Sequence, residues 1–110
     1  MVTVTARQER NRAAEVGTEP FRVALERQRA ECMRQRELAL VESTTSVPDA
    51  VAVNRAAGLG RTIGDIDAAL ARITAGSYGT CVSCGAAIPL PRLEVRPFAA
   101  ACVACAERPR

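Results

Sequence analysis

The chain contains no histidine, no tryptophan and no lysine, and only one tyrosine and two phenylalanines. Without histidine the side chain most used for proton transfer near neutral pH is missing. There is no glycine-rich phosphate loop either, and the acids are scattered along helical stretches, so the sequence predicts a protein that is not an enzyme. The near absence of large aromatics removes the side chains that usually fill a globular core. Strong charge of one sign is lacking as well: fifteen basic residues, all arginine, face twelve acids for a net +3. A protein that lives by gripping a nucleic-acid backbone carries a larger and more clustered excess, which makes direct DNA binding the less favoured reading. No apolar run approaches the ~18 residues that cross a bilayer. The amino terminus, MVTVTARQERN, lacks the basic and then apolar regions of a secretory signal. The expectation is a cytoplasmic protein with no membrane partner, in a compartment where structural disulfides are rare.

What is present is alanine, with arginine and glutamate interleaved from 7 to 42, the composition of long helices. A chain of 110 residues has little core to spare and commonly depends on a metal, disulfides or oligomerisation. Residues 1–20 form an N-terminal segment, a frayed helix at most, because 5–16 has no continuous apolar stripe and Gly17 and Pro20 interrupt it. From Phe21 to about Glu42, strong helix formers dominate. At 100° per residue Phe21, Leu25, Cys32 and Ala39 share a face, with Met33 and Leu40 beside it and Arg29 and Arg36 intruding. Such a helix, about 33 Å long, must pack on one neighbour. STTSVPD at 43–49 is a turn, and Ser46-x-x-Asp49 reads as a capping box with Asp49 at its third helical position.

The second helix has the better seam. Ala52, Ala56, Leu59, Ile63, Ile66, Leu70 and Ile73 recur at alternating intervals of four and three, the spacing of a two-stranded coiled coil. Gly58, Gly60 and Gly64 soften it, and Asp65 and Asp67 fall outside the seam as surface residues. Gly76 is placed to end it. Residues 21–76 are therefore expected to form an antiparallel helical hairpin, with its tip near 43–54, and 77–110 a separate small module. The fold class is mainly α: a coiled-coil hairpin followed by a four-cysteine finger with short strands around Ile88, Leu93 and Val95.

That module is carried by TCVSCG at 80–85 and ACVACA at 101–106. Cys81, Cys84, Cys102 and Cys105 form C-x2-C-x17-C-x2-C, within the spacing of a four-thiolate Zn²⁺ site. Two intervening residues let both thiols of a pair reach one tetrahedral ion, and Gly85 gives the backbone room to turn. A site closed by four sulfurs has no open position and is structural. Arg92 and Arg96 are placed to offset its negative charge. A dithiol redox centre is the sharper rival, but the βαβ context such motifs need is absent. Loss of zinc on oxidation stays open as a milder variant. Cys32, on the apolar stripe, reads as a small buried hydrophobe.

The run from 70 to 108, with Tyr78-Gly79 before CxxCG, Ile88, Arg92-Leu93, Arg96-Pro97 and a second CxxC followed by Ala106, resembles the DksA/TraR family of bacterial transcription regulators. The resemblance implies a hairpin that binds RNA polymerase directly and inserts into its secondary channel, without DNA, and for some members an alarmone as effector. Family members carry acids at the tip in a D-x-x-D-R-A-like run. Here the matching stretch is VAVNRAA, 51–57, in which Arg55 and Ala56 agree, while Val51 and Asn54 stand where the acids fall. Asp49, two residues out of register, is the nearby carboxylate. Asp49, Asn54 and Arg55 are thus the candidate polymerase-facing tip. Two alternatives remain: a nucleic-acid-binding zinc ribbon using Arg92, Arg96, Arg108 and Arg110, and a redox-sensitive zinc protein with another partner.

Overall fold

The computed structural model describes residues 17–44 and 49–107. The stretch 5–16, Ser46 of the expected capping box, and Arg108 and Arg110 lie outside these residues. The first helix, α1, spans Glu19–Thr44. Pro20 stands in its first turn, where a missing N–H is no loss. Arg22 bonds to Glu19 and reaches Glu26 at 2.9 Å, and Gln35 donates to Glu31 at 2.9 Å. Pairs one turn apart stabilise a helix by a few tenths of a kcal/mol each. The buried positions are Phe21, Leu25, Cys32 and Ala39, the stripe that the helical period predicts. Met33 and Leu40 beside it stay partly open to solvent.

The second helix, α2, spans Ala50–Ala75. Asp49 is its N-cap and not its third residue: its carboxylate accepts from the amides of Val51 at 3.0 Å and Ala52 at 3.2 Å. The Ser-x-x-Asp pattern misleads because an aspartate suits either position. Here it answers two amides that the helix itself leaves without acceptors. At the other end Gly76 adopts φ 82° and caps the carbonyls of Arg72 and Ile73, and Ser77 N–H bonds to Arg72 O at 2.9 Å. Only glycine takes that left-handed turn freely.

The two helices pack along the expected seam. Ala52, Ala56, Ile63 and Ile66 are buried, and Leu59, Leu70 and Ile73 are partly buried against the same core. Ala69 is buried in addition, since at the open end of the hairpin the core is wider than one stripe. Arg29 does not disrupt the seam. Its Nε donates across it to Asp67 Oδ1 at 2.6 Å, an exposed pair of the kind that contributes about 1 kcal/mol or less. The described chain is elongated, 65 × 32 × 21 Å, and none of its helices is long and apolar enough to cross a membrane.

After Gly76 the chain folds back on the hairpin base. Tyr78, Cys81, Ile88, Leu93 and Ala99 join Phe21, Leu25, Cys32, Ile63, Ile66 and Ala69 in one cluster. The expected short strands are absent among the described residues. A single antiparallel bridge links Thr80 and Ala87, and Leu90–Val95 is a short helix, α3. Pro89 and Pro91 lack the amides a ladder needs, and Pro91 presets φ for a helical turn. Leu93 then faces the core, fully buried, and Val95 is 87% exposed. A last turn, α4, spans Val103–Ala106.

Candidate metal centre and hairpin tip

Each cysteine pair is set by the backbone before it. Gly79 at φ 87° and Gly85 at φ 78° bracket the first pair in conformations that L side chains rarely adopt. Between them Cys81 N–H bonds to Ala86 O at 2.7 Å and Gly85 N–H to Cys81 O at 2.9 Å, closing a tight knuckle around the Cys81 sulfur. The Ser83 amide points at that sulfur, 3.4 Å away. The second pair starts at the N-terminus of α4, where Ala106 N–H bonds to Cys102 O at 2.9 Å. Val82 N–H to Ala100 O at 2.9 Å draws the two pairs together.

Four bonds of about 2.3 Å from a tetrahedral zinc put neighbouring sulfurs about 3.8 Å apart. The Sγ atoms of Cys84 and Cys102 are 3.8 Å apart, and all four sulfurs lie within 4.8 Å of one another. The donor set and its size therefore fit Zn²⁺, with every ligand position filled by sulfur. Protons are held unequally among the thiols. Cys81 is held down to about 6, first by hydrogen bonding from the Cys102 backbone and then from that of Cys84. Cys105 is pushed up to about 12, chiefly by its hydrogen bond with Cys102. A metal must displace the Cys105 proton, so the site tightens as pH rises. Cys32 is buried in the core cluster with the hairpin residues.

Arg92 donates from Nε to Ala101 O at 3.0 Å, and Arg96 lies over the Phe98 ring, 5.4 Å from its centroid. With Arg72 they line a cleft of about 380 Å³ between α2 and the finger, bordered by Asp65. Tyr78 anchors the finger to the hairpin. Its ring meets Phe21 at 5.5 Å between centroids, and its hydroxyl donates to Pro97 O at 2.7 Å. Sequence reading identified Tyr78 only as part of a motif; its tie to Pro97 spans nineteen residues and leaves no local signal.

At the far end, Asn54 and Arg55 are exposed on α2. The Arg55 guanidinium pairs with Glu42 of α1, and the Asp49 carboxylate is engaged by the α2 amides. The three tip candidates are thus neighbours along one helix start, not a cluster converging on a point.

Residues 76–109 match the prokaryotic dksA/traR C4-type zinc finger. The chain also resembles the structure of transcription factor DksA2 from Pseudomonas aeruginosa, at a TM-score of 0.68 and 30% identity, over 83% of this chain and 81% of that one. The chain belongs to the DksA/TraR family. Its cofactor is accordingly zinc, and the family is one of transcription factors. A second member, the RNA polymerase binding protein and transcriptional regulator Dks from Chlamydia trachomatis, is 25% identical over 76% of this chain and 84% of that one, with a TM-score of 0.45. An uncharacterized protein from Aquifex aeolicus is 48% identical over 46 residues, 42% of this DksA/TraR chain and about a third (32%) of the length of that relative.

Proposed function

We propose that this protein regulates transcription in the cytoplasm by binding RNA polymerase directly, its hairpin entering the secondary channel, while Cys81, Cys84, Cys102 and Cys105 hold a structural zinc and the chain performs no catalysis of its own. The observation that carries the reading is the likeness to DksA2 over more than four-fifths of both chains, which takes in the rod as well as the finger. Shape supports it: two helices of 26 residues make a rod about 39 Å long and two helices thick.

The tip sets this member apart. Between Glu42 and Arg55 the sequence has one charged side chain, Asp49, and its carboxylate is committed to the helix cap. Asn54 offers an amide where the family carries an acid. The hairpin therefore fills the channel without bringing free negative charge to its end. The arginine-lined cleft of Arg72, Arg92 and Arg96 is where a phosphorylated effector such as an alarmone finds cationic partners.

The test is binding of the full chain to bacterial RNA polymerase core enzyme, paired with transcription in vitro. Binding with weak effect on initiation, and a gain of effect in Asn54→Asp at unchanged affinity, is the expected outcome. A chain that does not bind polymerase removes the reading. The nucleic-acid ribbon has less support, because the chain carries a net charge of only +3 and lacks the clustered basic excess of a backbone binder. A DNA complex that weakens steeply with salt would reinstate it.

A further inference from the structure

One side of the hairpin, toward the tip, carries a groove of about 480 Å³ whose floor is Leu40, Val53, Ala57 and Gly60 and whose rim holds Arg36 and Arg61. Val53 is 51% exposed and Leu40 37%, so apolar surface is left open where the two helices meet solvent. Neither Arg36 nor Arg61 has an ion pair or side-chain hydrogen bond among the described residues, whereas Arg22, Arg29, Arg34 and Arg55 are all paired. Both lie back over glycine. A Cβ on Gly60 would stand 3.5 Å from Arg36 Nε, and one on Gly58 would stand 3.6 Å from an Arg61 terminal nitrogen. Glycine inside a helix is less favourable than alanine. At Gly60 the missing side chain keeps the groove floor low.

We infer that this groove is a second docking surface of the rod and that it receives an apolar segment flanked by carboxylates, presented by the wall of the polymerase channel. The inference rests on the polymerase reading above. Charge selects the occupant. No acid lines the groove, so two free guanidiniums over an apolar floor match a segment that places an Asp or Glu at each edge of a buried Leu-type side chain. A second copy of this chain is the wrong occupant. In a two-fold contact the patch meets itself, which sets arginine against arginine, and like charges across an interface oppose association.

The experiment measures affinity of the zinc-loaded full chain for RNA polymerase core enzyme across salt concentrations, for wild type, Arg36→Glu/Arg61→Glu and Gly60→Leu. Arg36→Ala/Arg61→Ala serves as a milder pair, and helical circular dichroism verifies that each variant is folded. Charge reversal is expected to weaken binding by about tenfold or more and to flatten its salt dependence. Gly60→Leu, which fills the floor and leaves the charges, is expected to weaken it without changing the salt slope. Wild type that binds while folded charge-reversed or Gly60→Leu protein binds equally well overturns the inference and leaves the polymerase reading standing. Wild type that does not bind removes that reading first. A dimer by sedimentation that Arg36→Glu/Arg61→Glu dissolves also overturns the inference, by giving the groove to a second copy.

Discussion

Replacing Tyr78 by phenylalanine isolates one hydrogen bond at the joint between finger and hairpin. The ring remains, and with it the contact to Phe21; what is lost is the hydroxyl that donates to Pro97 O at 2.7 Å. The bond is partly buried, and its loss costs about 1 kcal/mol. For a folded unit of this size that lowers the melting temperature by roughly 4–8 °C. The pH dependence gives a second reading of the same group. Burial pushes the Tyr78 phenol up to about 12, with the Arg72 guanidinium opposing the rise, against about 10 in an unfolded chain. Below the unfolded value the phenol is neutral in both states and its contribution is whole. Between about 10 and 12 the unfolded chain ionises first, and the stability due to Tyr78 is lost as pH rises through that window. Wild-type melting temperature should therefore fall faster than that of Tyr78→Phe, and the two curves converge. Because the chain has one tyrosine and no tryptophan, tyrosinate absorbance in the near ultraviolet reports this residue alone and should show the raised midpoint directly. Equal melting temperatures at neutral pH, or parallel curves through the alkaline window, would refute the reasoning.

Cys84→Ser should abolish stoichiometric zinc and unfold the finger, since binding free energy at such sites is folding free energy; full zinc by metal analysis in that variant would be incompatible with the four-sulfur site. Cys32→Ala should keep its metal. Ile66→Ala removes a fully buried side chain at the centre of the shared core and should cost about 2–5 kcal/mol, read by chemical denaturation; a change near zero would mean that the seam is not packed. Asp49→Ala should cost about 1 kcal/mol through loss of the cap, with faster amide exchange at Val51 and Ala52. Unchanged exchange there would release Asp49 from the cap and return it to the list of free tip carboxylates.

The sequence revealed best those features that repeat or that chemistry constrains tightly. Phe21, Leu25, Cys32 and Ala39 were legible because a helix buries one face at a fixed period, and the cysteines because four thiols around one ion demand close spacing. Gly76 was legible because a left-handed cap has few substitutes. Besides the tie of Tyr78 to Pro97, three features escaped. Alternation at Ile88, Leu93 and Val95 suggested strands, yet one helical turn started by Pro91 buries Leu93 as well, and six residues are too few for either period to show. Asp49 could be placed at either of two cap positions. The groove of Arg36 and Arg61 depends on which residues of one helix lie beside which of the other, and spacing along a single helix does not reveal that.

Because the cluster that closes the hairpin base also holds Leu93, Ile88 and Ala99 of the finger, the finger is the handle of a lever whose arm is the rod. Over about 39 Å of helix, a tilt of roughly 10° at the base swings the tip by about 7 Å. Small adjustments in how Tyr78 sits between Phe21 and Pro97 thus reappear, magnified, as a change in where the tip points. Zinc held by the four cysteines would fix the knuckles beside that joint, and with them the direction of the rod.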